Sequence, residues 1–421
     1  MVRKTLLAAA AAALVAPSLR AGDPTSTVFA TPLPPGPGNA TVPGSTLNAP
    51  VINYAGTKHG RSIFDFTPAG TDSETITTKD PARYLSGQGS CIYPPEQIGW
   101  FSAEYLYWAT QGPAIPPLVT SGPASLGAGL AGIVGQPNTQ DLLGGQRGLN
   151  GLRPGVRLTL GAFIDDNHDW ALSHQIISLG SRSERLVGGS DGTNVVNLPQ
   201  FAAVGGQPVQ TPLYVGFPGL SSGTVTASAQ TSFFSGDTHL RRVFQANGIR
   251  LDLLAGYRFL TVGDSIADSF DIVSNAPTSP RLMGNDSVRT RNYFHGGEVG
   301  FNAQGRTGQF TYEMQATIAL GVTASDLDQQ QTRSTFVGGA GGPVIQTAGH
   351  NQTDYFSVVP QVGFKLGWQP WQHVRFTAGY DFLYWSKVRR AEELYGPGPV
   401  LRDTTTDFWA QGFSIGAEVR Y

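Results

Sequence analysis

Hydrophobic and polar residues alternate with period two along much of this sequence, the signature of strands whose two faces meet different surroundings. In residues 412–421, Phe413, Ile415, Ala417, Val419 and Tyr421 are apolar or aromatic, and Ser414, Gly416, Glu418 and Arg420 fall between them. Residues 249–262 repeat the pattern, with Leu251, Leu253, Ala255, Tyr257 and Phe259 facing away from Arg250, Asp252, Gly256 and Arg258. Residues 309–324 do so again, with Phe310, Tyr312, Met314, Ala316, Ile318, Leu320 and Val322 opposite Thr311, Glu313, Gln315 and Thr317. Shorter or less regular versions occupy 100–108, 156–164, 170–179, 224–234 with a continuation towards Phe244, 293–304, 355–368 and 374–387.

The connections alternate as well. Residues 165–169, 245–248, 305–308 and 369–373 are short turns, whereas 111–152, 180–223, 263–292, 325–354 and 388–407 read as long irregular loops. Strands of about ten residues exceed the usual globular length of about five to six. Short turns at one end and long loops at the other match membrane barrels, which place their short turns on the periplasmic side. The expected fold class is therefore all-β: a single transmembrane antiparallel up-and-down β-barrel of about ten strands, with long external loops and short periplasmic turns. Twelve strands result if 224–244 or a loop hides a hairpin. The strand at 412–421 would close the ring against the first strand and leave no open edge.

Composition narrows the surroundings. Charged residues make up only 14% of the 421-residue chain, against about 25% in soluble domains. A net charge of −2 lacks the basic footprint of a nucleic-acid binder. One cysteine, Cys91, excludes an internal disulfide framework and a cysteine-rich metal site; no metal or cofactor is expected. Arg3 and Lys4 precede an apolar run at 6–16, then Pro17 and Ala21. That is the layout of a secretory signal peptide over 1–21, and the run is too short to cross a bilayer as a helix. Residues 22–97, rich in Thr, Pro and Gly, read as a linker, with 63–66 as a short strand or docking patch; the barrel spans 98–421. Trp100, Trp108, Trp170, Trp368, Trp371, Trp385 and Trp409 fall near strand ends, the placement of aromatic girdles at the two interfaces.

With the apolar faces on lipid, the opposite faces line the interior. Those positions are Glu104, Arg157, Arg250, Asp252, Arg258, Glu298, Glu313, Lys365, Arg375, Asp381, Glu418 and Arg420. Two arrangements satisfy both signs of charge. Opposed acidic and basic walls make a narrow porin-like channel for small polar solutes, in which Arg258→Ala or Arg375→Ala changes ion selectivity. A closed ion-pair network makes a plugged barrel that acts through its surface loops. About ten strands lies nearer the filled eight-stranded barrel than the 16- to 18-stranded aqueous pore. The partners are outer-membrane lipid and small polar solutes; oligomeric state is left open.

Catalytic patterns are sparse, and a barrel-embedded hydrolase is the third reading. Gly412-Phe413-Ser414-Ile415-Gly416 fits a nucleophile elbow but sits inside an alternating strand. Gly188-Gly189-Ser190-Asp191-Gly192 and Gly338-Gly339-Ala340-Gly341-Gly342 lie in loops without strand–helix context. Gly263-Asp264-Ser265 lacks a downstream Asp–His pair; Asp264, Asp268, Asp271, Asp326 and Asp328 read as loop carboxylates rather than a cation site.

Several segments carry a family resemblance: Glu104-Tyr105-Leu106-Tyr107-Trp108, Gly151-Leu152-Arg153-Pro154-Gly155-Val156-Arg157-Leu158-Thr159-Leu160-Gly161, Phe217-Pro218-Gly219-Leu220 and Arg250-Leu251-Asp252-Leu253-Leu254-Ala255-Gly256-Tyr257-Arg258. Over 98–421 the chain resembles the putative β-barrel porin-7 family of bacterial outer-membrane proteins. That resemblance implies an outer-membrane barrel and a pore. The strand at 412–421 resembles the assembly-directing strand of such barrels, which implies recognition by barrel-assembly machinery, although Tyr421 stands where many have Phe. Asp381-Phe382-Leu383-Tyr384-Trp385 echoes Glu104-Tyr105-Leu106-Tyr107-Trp108 in spacing and type.

Overall fold

The computed structural model describes residues 97–204, 207–246, 248–338, 340–391 and 405–421. The expected leader at 1–21, the linker up to residue 96, its 63–66 segment and Cys91 lie outside those residues. Strands follow in the order β1 Gly99–Thr110, β2 Ala114–Ile115, β3 Val119–Ser121, β4 Gln140–Leu143, β5 Gln146–Arg147, β6 Arg153–Phe163, β7 Trp170–Ser190, β8 Val196–Val204, β9 Gln207–Gly216, β10 Ser221–Ala246, β11 Ile249–Ser274, β12 Arg281–Thr307, β13 Phe310–Val337, β14 Ala340–Trp371, β15 Val374–Val388 and β16 Thr406–Arg420. Ten of them close into one antiparallel barrel: β1, β16, β15, β14, β13, β12, β11, β10, β7 and β6. β10 is one continuous strand, so the ring has ten members rather than twelve.

Closure falls where the alternation at 412–421 places it. β1 pairs with β16 from Trp100↔Arg420 to Thr110↔Ala410 and with β6 on its other side. The Ile98 N–H donates to the carbonyl of Tyr421 at 2.7 Å, and the Tyr421 N–H to that of Gly99 at 3.1 Å. Phe413, Ile415, Val419 and Tyr421 point outward and are exposed.

The walls are far taller than a bilayer. β11 to β14 run 26 to 32 residues, and 263–292 and 325–354, which read as loops, are mainly strand. Along β11 the outward positions change from Leu253, Tyr257 and Phe259 to Thr261, Ser265, Ser269 and Asp271. The inward positions change the opposite way, from Arg250, Asp252 and Arg258 to Leu260, Val262, Ile266, Phe270 and Ile272. Period two persists while the polarity of its phases inverts, because the outer medium switches from lipid to water. On β13 the exposed apolar positions run from Phe310 to Val322. That is about 28 Å along the normal for a strand tilted by about 45°, the height of the apolar band of a bacterial barrel.

Above the belt the interior is filled. β3, β4, β8 and β9 form a small sheet within the long β1–β6 and β7–β10 connections. Ile115, Leu118, Val119, Leu149, Val196, Leu198 and Val215 of this plug pack on Val225, Ile266, Phe270, Ile272, Val288 and Leu327 of the wall. The stretches 111–152 and 180–223 are thus partly folded rather than free loops. Strand β7 continues to Ser190, and β10 starts at Ser221.

The tryptophans do not all form girdles. Trp170, Trp368 and Trp371 are exposed at the short-turn end, but Trp100, Trp108 and Trp385 point into the barrel and are buried. They occupy inward phases of β1 and β15, and so pack with the interior rather than lipid. Trp100 lies over its cross-strand partner Gly161, where an added Cβ would sit 2.1 Å from Cζ2. Gly161→Ala is expected to cost about 1–3 kcal/mol, read as a lower urea midpoint of the refolded barrel. Gly297→Ala, with open space around it, leaves the midpoint unchanged.

Candidate functional site: the closed interior

At lipid depth each strand contributes its polar phase to the interior, and neighbouring strands bring opposite charges together. Arg157 on β6 stands opposite Glu104 on β1. Its Nη1 donates to Glu104 Oε2 at 2.8 Å, and its Nη2 lies 2.7 Å from Asp381 Oδ2 on β15. Lys365 Nζ on β14 donates to the other oxygen of Glu104 at 2.5 Å. Two cations and two carboxylates thus close on each other. Arg157 also stacks over Trp108, 5.4 Å from the ring centre.

Three further clusters complete the layer. Arg258 Nη1 donates to Glu298 at 2.8 Å, and His239 bridges Glu298 (2.8 Å) and Asp237 (3.3 Å). Arg250 and Arg241 both hold Asp252, at 2.5 and 3.3 Å. Arg375 spans Glu313 (3.2 Å) and Glu418 (2.7 Å), and Arg420 holds the second oxygen of Glu418 at 2.6 Å. All twelve positions picked out by the alternation point inward. Arg157, Arg258 and Glu298 are each only 1% exposed. A cavity of about 10 Å³ remains beside Arg157, Glu313, Lys365 and Asp381, the space of one water.

The next inward residues are mostly apolar, with Ser235 on β10 and Arg153 on β6 among the exceptions. Leu106, Trp108, Leu260, Phe294, Val359, Leu383, Trp385 and Phe408 form a contiguous layer directly above the charges. Phe233 stacks on Phe408 at 5.4 Å, and Phe294 meets Trp385 edge-on at 6.1 Å. At the short-turn end Trp100 and Phe163 approach to 5.6 Å. Arg241 and Arg250 lie over Trp100 and Phe163 respectively, at 5.6 Å from each ring centre.

Sequence reasoning missed Asp237, His239 and Arg241 because they sit where β10 continues past Phe234. The apolar layer was hidden because its residues share the inward phase with the charges. The echo of 104–108 in 381–385 has a physical counterpart: Glu104 and Asp381 grip the same guanidinium, and Trp108 and Trp385 join the same layer.

The catalytic patterns do not assemble. Asp264 is buried against Arg390 (2.5 Å), while Ser265 occupies the outward phase of the same strand. Ser190 Oγ donates to the Asn194 carbonyl in a turn, and Ser414 lies within β16. Asp264 and Asp268 point inward; Asp271 pairs with Arg281 and Asp328 with His350 on the outer side. Among the described residues no three His, Cys, Asp or Glu side chains converge as metal ligands.

The family model described as Putative beta barrel porin-7 matches residues 100–421. The chain belongs to that family. It is an outer-membrane β-barrel of bacterial type. No curated protein matches it. Among solved structures it is similar to the outer membrane protease OmpT of Escherichia coli, at 9% identity over 80% of this chain and 100% of that one, with a TM-score of 0.39. It is also similar to the Pseudomonas putida toluene transporter TodX (8%, covering 79% and 92%, TM-score 0.17) and to a Pseudomonas aeruginosa FadL homologue (8%, 81% and 94%, TM-score 0.21).

Proposed function

We propose that this family member is a closed outer-membrane scaffold that works through its tall external half, rather than an open diffusion pore. The observation that carries the reading is the doubly sealed interior. At lipid depth the charged side chains are buried in ion pairs, and a contiguous apolar cluster lies directly outside them. A solute path would leave wetted walls. The outward faces support a lipid contact around the belt, and the closing strand with Phe413, Ile415, Ala417, Val419 and Tyr421 supports recognition by assembly machinery. The reading is non-enzymatic, since Asp264 and Ser265 face opposite sides of β11.

The narrow-channel alternative has the family description in its favour. It requires both the Arg157 cluster and the Trp108–Trp385 layer to separate. Single-channel recording decides between the two. Refolded wild-type protein, its folding verified by heat-modifiable gel mobility, is expected to give no discrete steps in a planar bilayer. Reproducible steps whose reversal potential moves in Arg258→Ala or Arg375→Ala would overturn the closed reading.

A further inference from the structure

Just above the apolar belt, one sector of the outer wall carries two arginines that the protein does not itself pair. Outward positions climbing away from lipid read Tyr293, Arg291, Arg289 on β12, then Val322, Ala324, Asp326, Asp328 on β13, and Phe356, Asp354, Gln352, His350 on β14. The register sets Arg291 beside Asp326 and Arg289 beside Asp328. Asp328 is engaged by His350 at 2.9 Å. Arg289 and Arg291 are exposed, and neither has an ion pair or side-chain hydrogen bond among the described residues. At the same height β10 and β11 present only Ser232, Gln230, Gly263 and Ser265. The adjoining strands β10 and β11 therefore carry no outward charge at that level.

Position selects the ligand. A side chain one or two pleats above the last lipid-facing residue lies among the headgroups of the outer leaflet. A guanidinium presents a planar fork that matches phosphate oxygens in pairs. Carboxylates interleaved with the arginines would repel such phosphates unless divalent cations sit between them, since hard cations take carboxylate and phosphate oxygens together. The interior shows the contrast, because Arg157, Arg258 and Arg375 are matched there to carboxylates at ion-pair distance.

We infer that Arg289 and Arg291 bind the phosphates of an outer-leaflet glycolipid of lipopolysaccharide type, with Asp326 joining through a bridging divalent cation. The site orients the barrel towards one lipid sector and is independent of whether the interior conducts.

The test uses the full chain refolded in neutral detergent, with purified lipopolysaccharide and Mg²⁺ as probes. The readout is the temperature at which heat-modifiable gel mobility is lost. Lipopolysaccharide is expected to raise the wild-type midpoint. In Arg289→Gln/Arg291→Gln the lipid concentration needed rises about ten- to hundredfold, as for the loss of one or two charge-assisted contacts. Arg185→Gln, on β7 and one pleat farther from the belt, keeps the wild-type response. EDTA weakens the wild-type response, and Asp326→Asn removes that sensitivity. An unchanged response in the double variant overturns the proposal. So does an equal shift with inorganic phosphate alone, which would mark a free-anion site. A double variant already destabilised without lipid would make the arginines structural and also count against it.

Discussion

Arg157→Ala is expected to destabilise the barrel by about 3–5 kcal/mol, the cost of leaving a buried charge without its partner. Among the described residues Arg157 is the cation that connects Glu104, on the neighbouring strand β1, with Asp381, on β15 farther round the same side of the ring. After truncation Glu104 retains Lys365, but Asp381 loses its ion-pair partner in a site 3% exposed. Arg157→Lys should recover little, because one ammonium cannot hold both carboxylates as the two nitrogens of the fork do. Arg157→Ala/Asp381→Asn should recover a large part, since the orphaned charge disappears with its partner. A double-mutant cycle over these two positions measures the coupling. The assay is the denaturant midpoint of refolded protein in lipid vesicles. A loss below about 1 kcal/mol, as for a solvated pair, would mean that water reaches Asp381. The closed interior would then be wrong at the point on which the proposed function depends.

The parts legible in the sequence are those where one physical rule acts alone. At lipid depth the outer phase must be apolar, so 249–262, 309–324 and 412–421 declared both their strands and their facing. The same rule located the interior residues from Glu104 to Arg420, because charge on the other phase has nowhere else to go. Above the belt the rule changes. Water faces the outside and a packed plug the inside, so Ser265, Ser269 and Asp271 point outward while Ile266, Phe270 and Ile272 point inward. The period survives there, but small and polar outward residues made it resemble loop. The interior also mixes two layers in one phase. Trp108 follows Glu104, and Trp385 follows Asp381, by four residues each. Strand-end position suggested an interface for both tryptophans, whereas their phase places them inside. Cross-barrel partners such as Glu104 with Lys365, 261 residues apart, depend on barrel closure and stagger, which no local pattern encodes.

The external half should loosen in alkali, and Asp268 is the reason. Its carboxyl lies inward on β11 between Ile266 and Phe270, under the plug. It stands directly opposite Asp286 of β12, whose oxygens are held by Arg333 of β13. Burial first, then the facing Asp286 charge, push the Asp268 carboxyl up to about 8, with Arg333 opposing. In the unfolded chain the group titrates near 3.8. Between those values the folded state holds a proton that the unfolded state has lost, so stability falls as pH rises. The contribution is complete below the unfolded value and gone above the folded one. From pH 6 to pH 9 the protection of plug amides against hydrogen exchange, corrected for the intrinsic rate, should drop by up to about a hundredfold. Backbone amides of β3 and β8, which pair through Thr120 and Asn197, are the reporters. Asp268→Asn keeps the shape and removes the titration, so its protection should stay level across the range and exceed wild type at pH 9. A wild-type profile that is flat between pH 6 and pH 9, or a drop that persists in Asp268→Asn, would assign the alkaline behaviour to another group. The prediction also separates the two halves of the molecule, because the Arg157 cluster at lipid depth shares none of these side chains.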